Sequence, residues 1–216
     1  MPSPIPVRPI DQAVELLNEH FDAFFVSAKY AEKTGHPVPS DTRGWSQILV
    51  SLLTGIDGLE RKKGADLVDG SDVKAANTWN AIDTPRFNGV LKAGTKADHD
   101  GSLVSLDGMP NLFFVLWDMA PSGEHRCRVW VVRTQYDPEF RNMAGRWFEA
   151  REQGVIRSNN FQLHPPRGKD TDTFRNTYGN LDYPLLFCAL KPAGSSYRVA
   201  SYRPEVIGAG ACAVHP

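Results

Sequence analysis

The sequence predicts an α/β sandwich with a mixed central β-sheet flanked by helices. Three observations carry that expectation. Apolar residues recur at helical spacing in three stretches. Asn111–Asp118 is almost wholly apolar, as in a strand buried on both faces. Between and after these lie short runs rich in valine, leucine and aromatic residues, bounded by turn formers. With 216 residues and 41% hydrophobic content, the chain can bury a sizeable core. One domain is expected over residues 1–216: an N-terminal arm and helix (1–40), then helix, hairpin and core strands (41–134), then helix, polar strand-and-loop and closing strands (135–216).

The elements follow in order. MPSPIPVRPI is an extended, proline-rich arm without the apolar core of a signal peptide. Asp11 starts a helix with Ala13, Leu16, Leu17, Phe21, Phe24 and Phe25 on one broad face, stopped by Gly35-His36-Pro37. A second helix runs from Asp41 or Thr42, with Trp45, Ile48, Leu49, Leu52 and Leu53 apolar, to Gly55. Asn77–Lys96 reads as polar and loop-rich, with Trp79 packing back on the sheet. Residues 97–110 read as a loop with a short strand. Strands are expected at 111–118, 126–133, 161–163, 185–190 and 197–202, and a helix from Pro138 to Gln153.

Gly64–Ala76, GADLVDGSDVKAA, carries the chemistry. Asp69-Gly70 between short apolar runs is a hairpin signal. Strand side chains alternate faces, so the turn decides where Asp66, Asp72 and Lys74 point. A two-residue turn sets Asp66 and Asp72 on opposite faces. A three-residue loop, Val68-Asp69-Gly70 with Gly70 left-handed, sets them directly across from each other, with Lys74 on the same face. Opposed like charges on a sheet repel, the more so when buried. A divalent cation between two carboxylates relieves that repulsion, and Mg²⁺ takes one or two protein carboxylates plus substrate phosphate oxygens. Two acids and a lysine on one face therefore suit metal-assisted phosphodiester hydrolysis, with Lys74 orienting or deprotonating water. Asp57 and Glu60 are candidates for a third acid. The bland alternative is a solvated turn with a charged strand end.

Asp66, a short turn and Asp72-Val73-Lys74 resemble the active-site motif of the PD-(D/E)XK nucleases. Ala65 stands where the family usually has proline, and Asp72 where glutamate is commoner; five residues between Asp66 and Asp72 is a short spacing for it. An apolar helix before the acid-bearing hairpin follows the family's usual order. GADLVDGSDVKAANTW and NNFQLHPPRGKD are similar to the MamI-like group of type II restriction endonucleases. The resemblance implies a three-layer PD-(D/E)XK nuclease-like core, Mg²⁺ held by Asp66 and Asp72, and Lys74 as third catalytic residue. It also implies site-specific cleavage of double-stranded DNA by a homodimer, since a two-fold protein matches a palindromic site. Two alternatives stay open: a repair or recombination nuclease on the same fold, selecting DNA by its structure, and a non-catalytic DNA-binding protein.

DNA contacts are expected from two regions. Ile156–Asn180 interleaves Asn159, Asn160, Gln162, His164, Arg167, Lys169 and Arg175 on strand and long loop. Asn and Gln pair with adenine edges, Arg and Lys with guanine, and all can hold phosphate. Asn160, Gln162 and His164 share a strand face. Arg86 and Asn88 are the second group. His164 as a metal ligand lacks a second ligand at matching spacing.

Composition excludes more than it selects. The net charge of −1 gives no general polyanion argument, although residues 109–216 carry 13 Lys+Arg against 10 Asp+Glu, almost all arginine. Three distant cysteines, Cys127, Cys188 and Cys212, argue against a disulfide framework or zinc site and for a reducing cytosol, and the resemblance implies a bacterial one. No apolar run reaches membrane-span length, and no Gly-x-Gly-x-x-Gly, Walker loop or Gly-x-Ser-x-Gly occurs.

Overall fold

A computed structural model describes residues 10–34, 42–59, 64–79, 86–92 and 103–207. Its centre is a five-stranded mixed sheet ordered β1-β3-β4-β8-β9, from β1 (Asp72–Asn77), β3 (Leu112–Met119), β4 (His125–Val132), β8 (Leu185–Lys191) and β9 (Arg198–Tyr202). β1 pairs parallel with β3, and every other pairing in this sheet is antiparallel. The unbroken apolar run of β3 has its reason here: it lies between β1 and β4, and Leu112 to Trp117 are fully buried.

Alternation divides β3 between two cores. Phe113, Val115 and Trp117 face α1 (Ile10–Thr34) and α2 (Arg43–Thr54), where they meet Leu17, Phe24, Leu49, Val50 and Leu53. The Trp117 indole N–H donates to Ser46 Oγ at 3.0 Å, satisfying both groups in that core. Leu112, Phe114 and Leu116 face the other way, towards α4 (Pro138–Glu152), whose Phe140, Met143, Ala144 and Trp147 supply the second core. α4 starts cleanly because Asp137 accepts the Phe140 N–H, with Pro138 in the first turn. α2 ends at Gly55, left-handed at φ 72°, whose N–H closes on Ser51 O.

Several elements differ from the sequence expectation. The stretch from 77 to 96 contains a strand, β2 (Phe87–Lys92), and residues 104–107 form a helical turn, α3, in place of a short strand. The long polar segment is folded: β5 (Asn160–Leu163) pairs with β2, and β6 (Thr173–Asn176) forms a hairpin with β7 (Gly179–Asp182). Helices therefore cover one face of the sheet, while the other carries α4 together with two small ribbons. These ribbons form because Phe87, Val90, Leu91, Phe161, Leu163, Phe174 and Leu181 each bury against the sheet, however polar their neighbours. Trp79 packs back as expected, against Trp117, His20 and Phe24. No helix among the described residues is long and apolar enough to cross a membrane.

Candidate active site and nucleic-acid interface

The turn before β1 takes the three-residue form. Leu67 and Asp66 both donate backbone N–H to Ser71 O, at 3.1 Å each, and Gly70 is left-handed at φ 95°. Asp69 braces the loop by accepting the Ser71 N–H and hydroxyl, both at 2.9 Å. The expected first strand of the hairpin is reduced to one bridge, Leu67 with Gly58, because β1 takes its ladder from β3 instead. Gly70 is packed as well as turned: a Cβ there would stand 2.7 Å from Gly108 O.

This turn brings Asp66, Asp72 and Lys74 together. β1 is the outer strand of the sheet, so its amides on the far side from β3 have no ladder partner. Asp66 Oδ2 accepts one of them, Val73 N–H, at 2.9 Å, and Asp66 Oδ1 accepts the Gln47 amide from α2 at 2.7 Å. Lys74 Nζ lies 2.5 Å from Asp72 Oδ2, with the two side chains 20% and 13% exposed, so both are largely buried but still reached by solvent. Burial pushes the Asp66 carboxyl up to about 7, helped by its hydrogen bond to Asp72 and that group's charge, against the Val73 amide and Lys74. Burial also works to raise Asp72, but the hydrogen bond with Asp66 and the Lys74 ammonium hold it below its ordinary value. The pair behaves as two carboxyls sharing one proton.

A divalent cation fits this donor set. Two adjacent carboxyls that cannot both ionise cheaply are relieved by a dication, and two are enough for Mg²⁺. No third ligand joins them: among the described residues no group of three or more His, Cys, Asp or Glu could hold a metal. Asp57 therefore does not complete a three-acid cluster; it is exposed, and its carbonyl accepts the Val68 N–H. Glu60, the Arg61–Lys63 run and Cys212 lie outside the described residues.

The expected DNA contacts fall largely on one surface. β2 and β5 pair antiparallel, Phe87 with Leu163 and Leu91 with Phe161, so their buried residues point down together. Arg86 and Asn88 alternate with Phe87; Asn160, Gln162 and His164 alternate with Phe161 and Leu163. All five thus share the outward face of one ribbon, with exposed Asn159 just before it. That ribbon covers the sheet face to which Asp72, Lys74 and Ala76 belong. His164 then exchanges both backbone hydrogen bonds with Arg175, at 2.7 and 3.0 Å, which ties β5 to β6.

Arg167 and Lys169, both exposed, stand on the loop between β5 and β6. That loop is fastened to the sheet by an ionic network that sequence reasoning missed. Asp118, 1% exposed, takes Arg126 Nε and Nη2 at 2.9 and 2.8 Å and Arg128 Nη2 at 2.9 Å. Arg128 also donates to Pro166 O at 2.7 Å and Lys169 O at 3.0 Å, and Arg126 to Asp170 at 2.7 Å. The available signal was Asp118 itself, a charge inside an apolar strand, which needs a partner on the next one. Gln47 was missed too, and no local pattern marks it.

The profile of the MamI restriction endonuclease family matches residues 29–196, most of the chain, across both the acid pair and the polar ribbon. The chain belongs to the MamI restriction endonuclease family. It is 33% identical over 189 residues to the type II restriction enzyme MamI of Microbacterium ammoniaphilum. That alignment takes in 80% of the chain and 60% of the relative, so the chain spans less than two thirds of MamI's length. No solved structure matches. Within the family, then, this chain sets its acid pair at the outer edge of a mixed sheet, beside a ribbon of amide and basic side chains.

Proposed function

We propose that the chain is a site-specific endonuclease that hydrolyses phosphodiesters of double-stranded DNA with Mg²⁺, in the manner of a type II restriction enzyme. One observation carries this: in a member of the MamI family, Asp66, Asp72 and Lys74 converge on an open strand edge beside the polar face of β2 and β5. The core is read as a single PD-(D/E)XK nuclease domain working in the bacterial cytosol.

Asp66 and Asp72 are the residues to hold Mg²⁺, which when bound supplies charge stabilisation at the phosphoryl oxygens and a more acidic water. The chain's own groups do the rest. The Gln47 amide and Val73 N–H fix the Asp66 carboxylate from both sides. Lys74, held by Asp72, orients the attacking water and offsets negative charge on the phosphate. Arg86, Asn88, Asn159, Asn160 and Gln162 face the grooves, and His164, Arg167 and Lys169 the adjacent backbone. A homodimer would set two such sites on opposite strands.

The test is incubation with mixed plasmid and phage DNA and Mg²⁺, with EDTA as control. Discrete, Mg²⁺-dependent fragments are expected. A smear or structure-dependent nicking indicates a repair-type nuclease, and intact DNA overturns the catalytic reading.

A further inference from the structure

We infer that the cavity between the end of β1 and the 164–175 segment is a second phosphate subsite, seating a backbone phosphate of the duplex away from the scissile one. The inference rests on the nuclease reading and deepens it. The cavity is about 580 Å³, and Thr78, Asp118, His164, Arg167, Gly168 and Arg175 line it.

Charge pairing distinguishes its arginines from those beneath. Arg126 and Arg128 are buried and spend their guanidinium groups on Asp118, Asp170 and loop carbonyls. Arg167 and Arg175 are exposed, and among the described residues their guanidinium groups meet no carboxylate or carbonyl. Asp118 does not neutralise them, because its two oxygens already accept from Arg126, Arg128 and the Gly168 N–H. The side chains left free to bond, those of Arg167, Arg175, Thr78 and His164, all donate or can donate. A concave, positive wall of donors suits a phosphodiester.

Position agrees with charge. Thr78 follows Lys74 by four residues, and its N–H continues the ladder to Trp117 O, so it keeps to the same sheet face. Four residues of strand span roughly 13 Å, which exceeds the separation of neighbouring phosphates on a strand whose charges recur every ~3.4 Å of helix axis. A strand with its scissile phosphate at Asp72 and Lys74 thus has a further phosphate within reach of the cavity. Because Arg126 and Arg128 already hold the loop, little ordering is left to be done on binding.

The test measures binding of a duplex carrying the cleaved site, and of an unrelated duplex, without Mg²⁺ at several salt concentrations. Wild type is compared with Arg167→Gln, Arg175→Gln, the double variant and Arg175→Lys, with thermal unfolding recorded for each. The slope of log affinity against log salt should fall by about 0.9 for each single variant and about 1.8 for the double one. The loss should be equal on both duplexes, Arg175→Lys should keep the wild-type slope, and unfolding should not change. Unchanged slopes, or a loss confined to the cognate duplex, overturn the subsite while leaving the nuclease reading intact. If wild type binds neither duplex, the nuclease reading itself fails.

Discussion

Asp72 and Asp118 stand on hydrogen-bonded neighbouring strands and on the same sheet face, each beside a basic side chain. Their surroundings differ in the balance of charge. Asp118 is closed off, with two guanidinium groups and a backbone amide on its oxygens. Asp72 has one ammonium and, beside it, a second carboxyl whose pKa is pushed up to about 7. A buried carboxylate satisfied from all sides fixes the fold. One left with a like neighbour at an open strand edge is incomplete until a cation or substrate arrives. On the proposed function, the first belongs to stability and the second to chemistry.

The sharpest way to break that division is to delete each side in turn. Asp66→Ala, Asp72→Ala and Lys74→Ala should each lower single-turnover DNA cleavage by on the order of 10³-fold or more. Their unfolding free energy in urea should change by less than about 1 kcal/mol, since the pair opposes itself. Cleavage near the wild-type rate by any of the three would remove that residue from the site.

Asp118→Ala should do the reverse. It strands two buried guanidinium charges and should cost about 3–5 kcal/mol of stability, read as a lower urea midpoint. A midpoint within experimental error of wild type would erase the contrast between the two aspartates.

Gln47→Leu sharpens the comparison, because it strips support from the open cluster without touching the closed one. It should slow cleavage by about 10–100-fold at little cost to stability. If the rate holds, the Val73 amide alone positions Asp66.

The smallest effect separates both clusters from a buried imidazole. His20 lies among Phe24, Trp45, Trp79 and Trp117, and burial lowers its pKa from 6.5 to about 4. The folded state therefore binds fewer protons than the unfolded one between these values. Stability from this group is complete above pH 6.5 and declines as pH falls towards 4, by on the order of 1–2 kcal/mol once solvent screening is allowed for. His20→Phe should flatten that part of the stability curve, and an unchanged curve would assign the acid loss elsewhere.

What the sequence made legible were the features written locally. The faces of α1, α2 and α4, apart from Phe25 and Ile48, which are exposed, the stop at Gly55 and the doubly buried β3 followed from periodicity and punctuation. The meeting of Asp66 and Asp72 followed from the turn, but only on the three-residue alternative, and Gly70 with its bifurcated Ser71 closure decides for it. What stayed hidden depended on distant partners. β2 and β6 are short and polar on their outer faces, so their burial shows only once they are laid on the sheet. Gln47 reaches Asp66 across 19 residues of sequence, and Arg126 and Arg128 clasp a loop about 40 residues away. Asn88, on β2, and Arg86 just before it join the β5 row for the same reason.

Gly70 carries a consequence for the tolerance of this chain to change. Its left-handed backbone and the carbonyl of Gly108 2.7 Å from any Cβ leave no room for another residue. A side chain there would push the turn off the 108–110 segment and swing Asp66 away from Asp72. Position 70 holds no reactive group, yet in a library randomised at that codon, clones that still cut DNA should retain glycine. On the proposed function, the chemistry of the site is thus exposed to drift at a residue that brings no side chain to it.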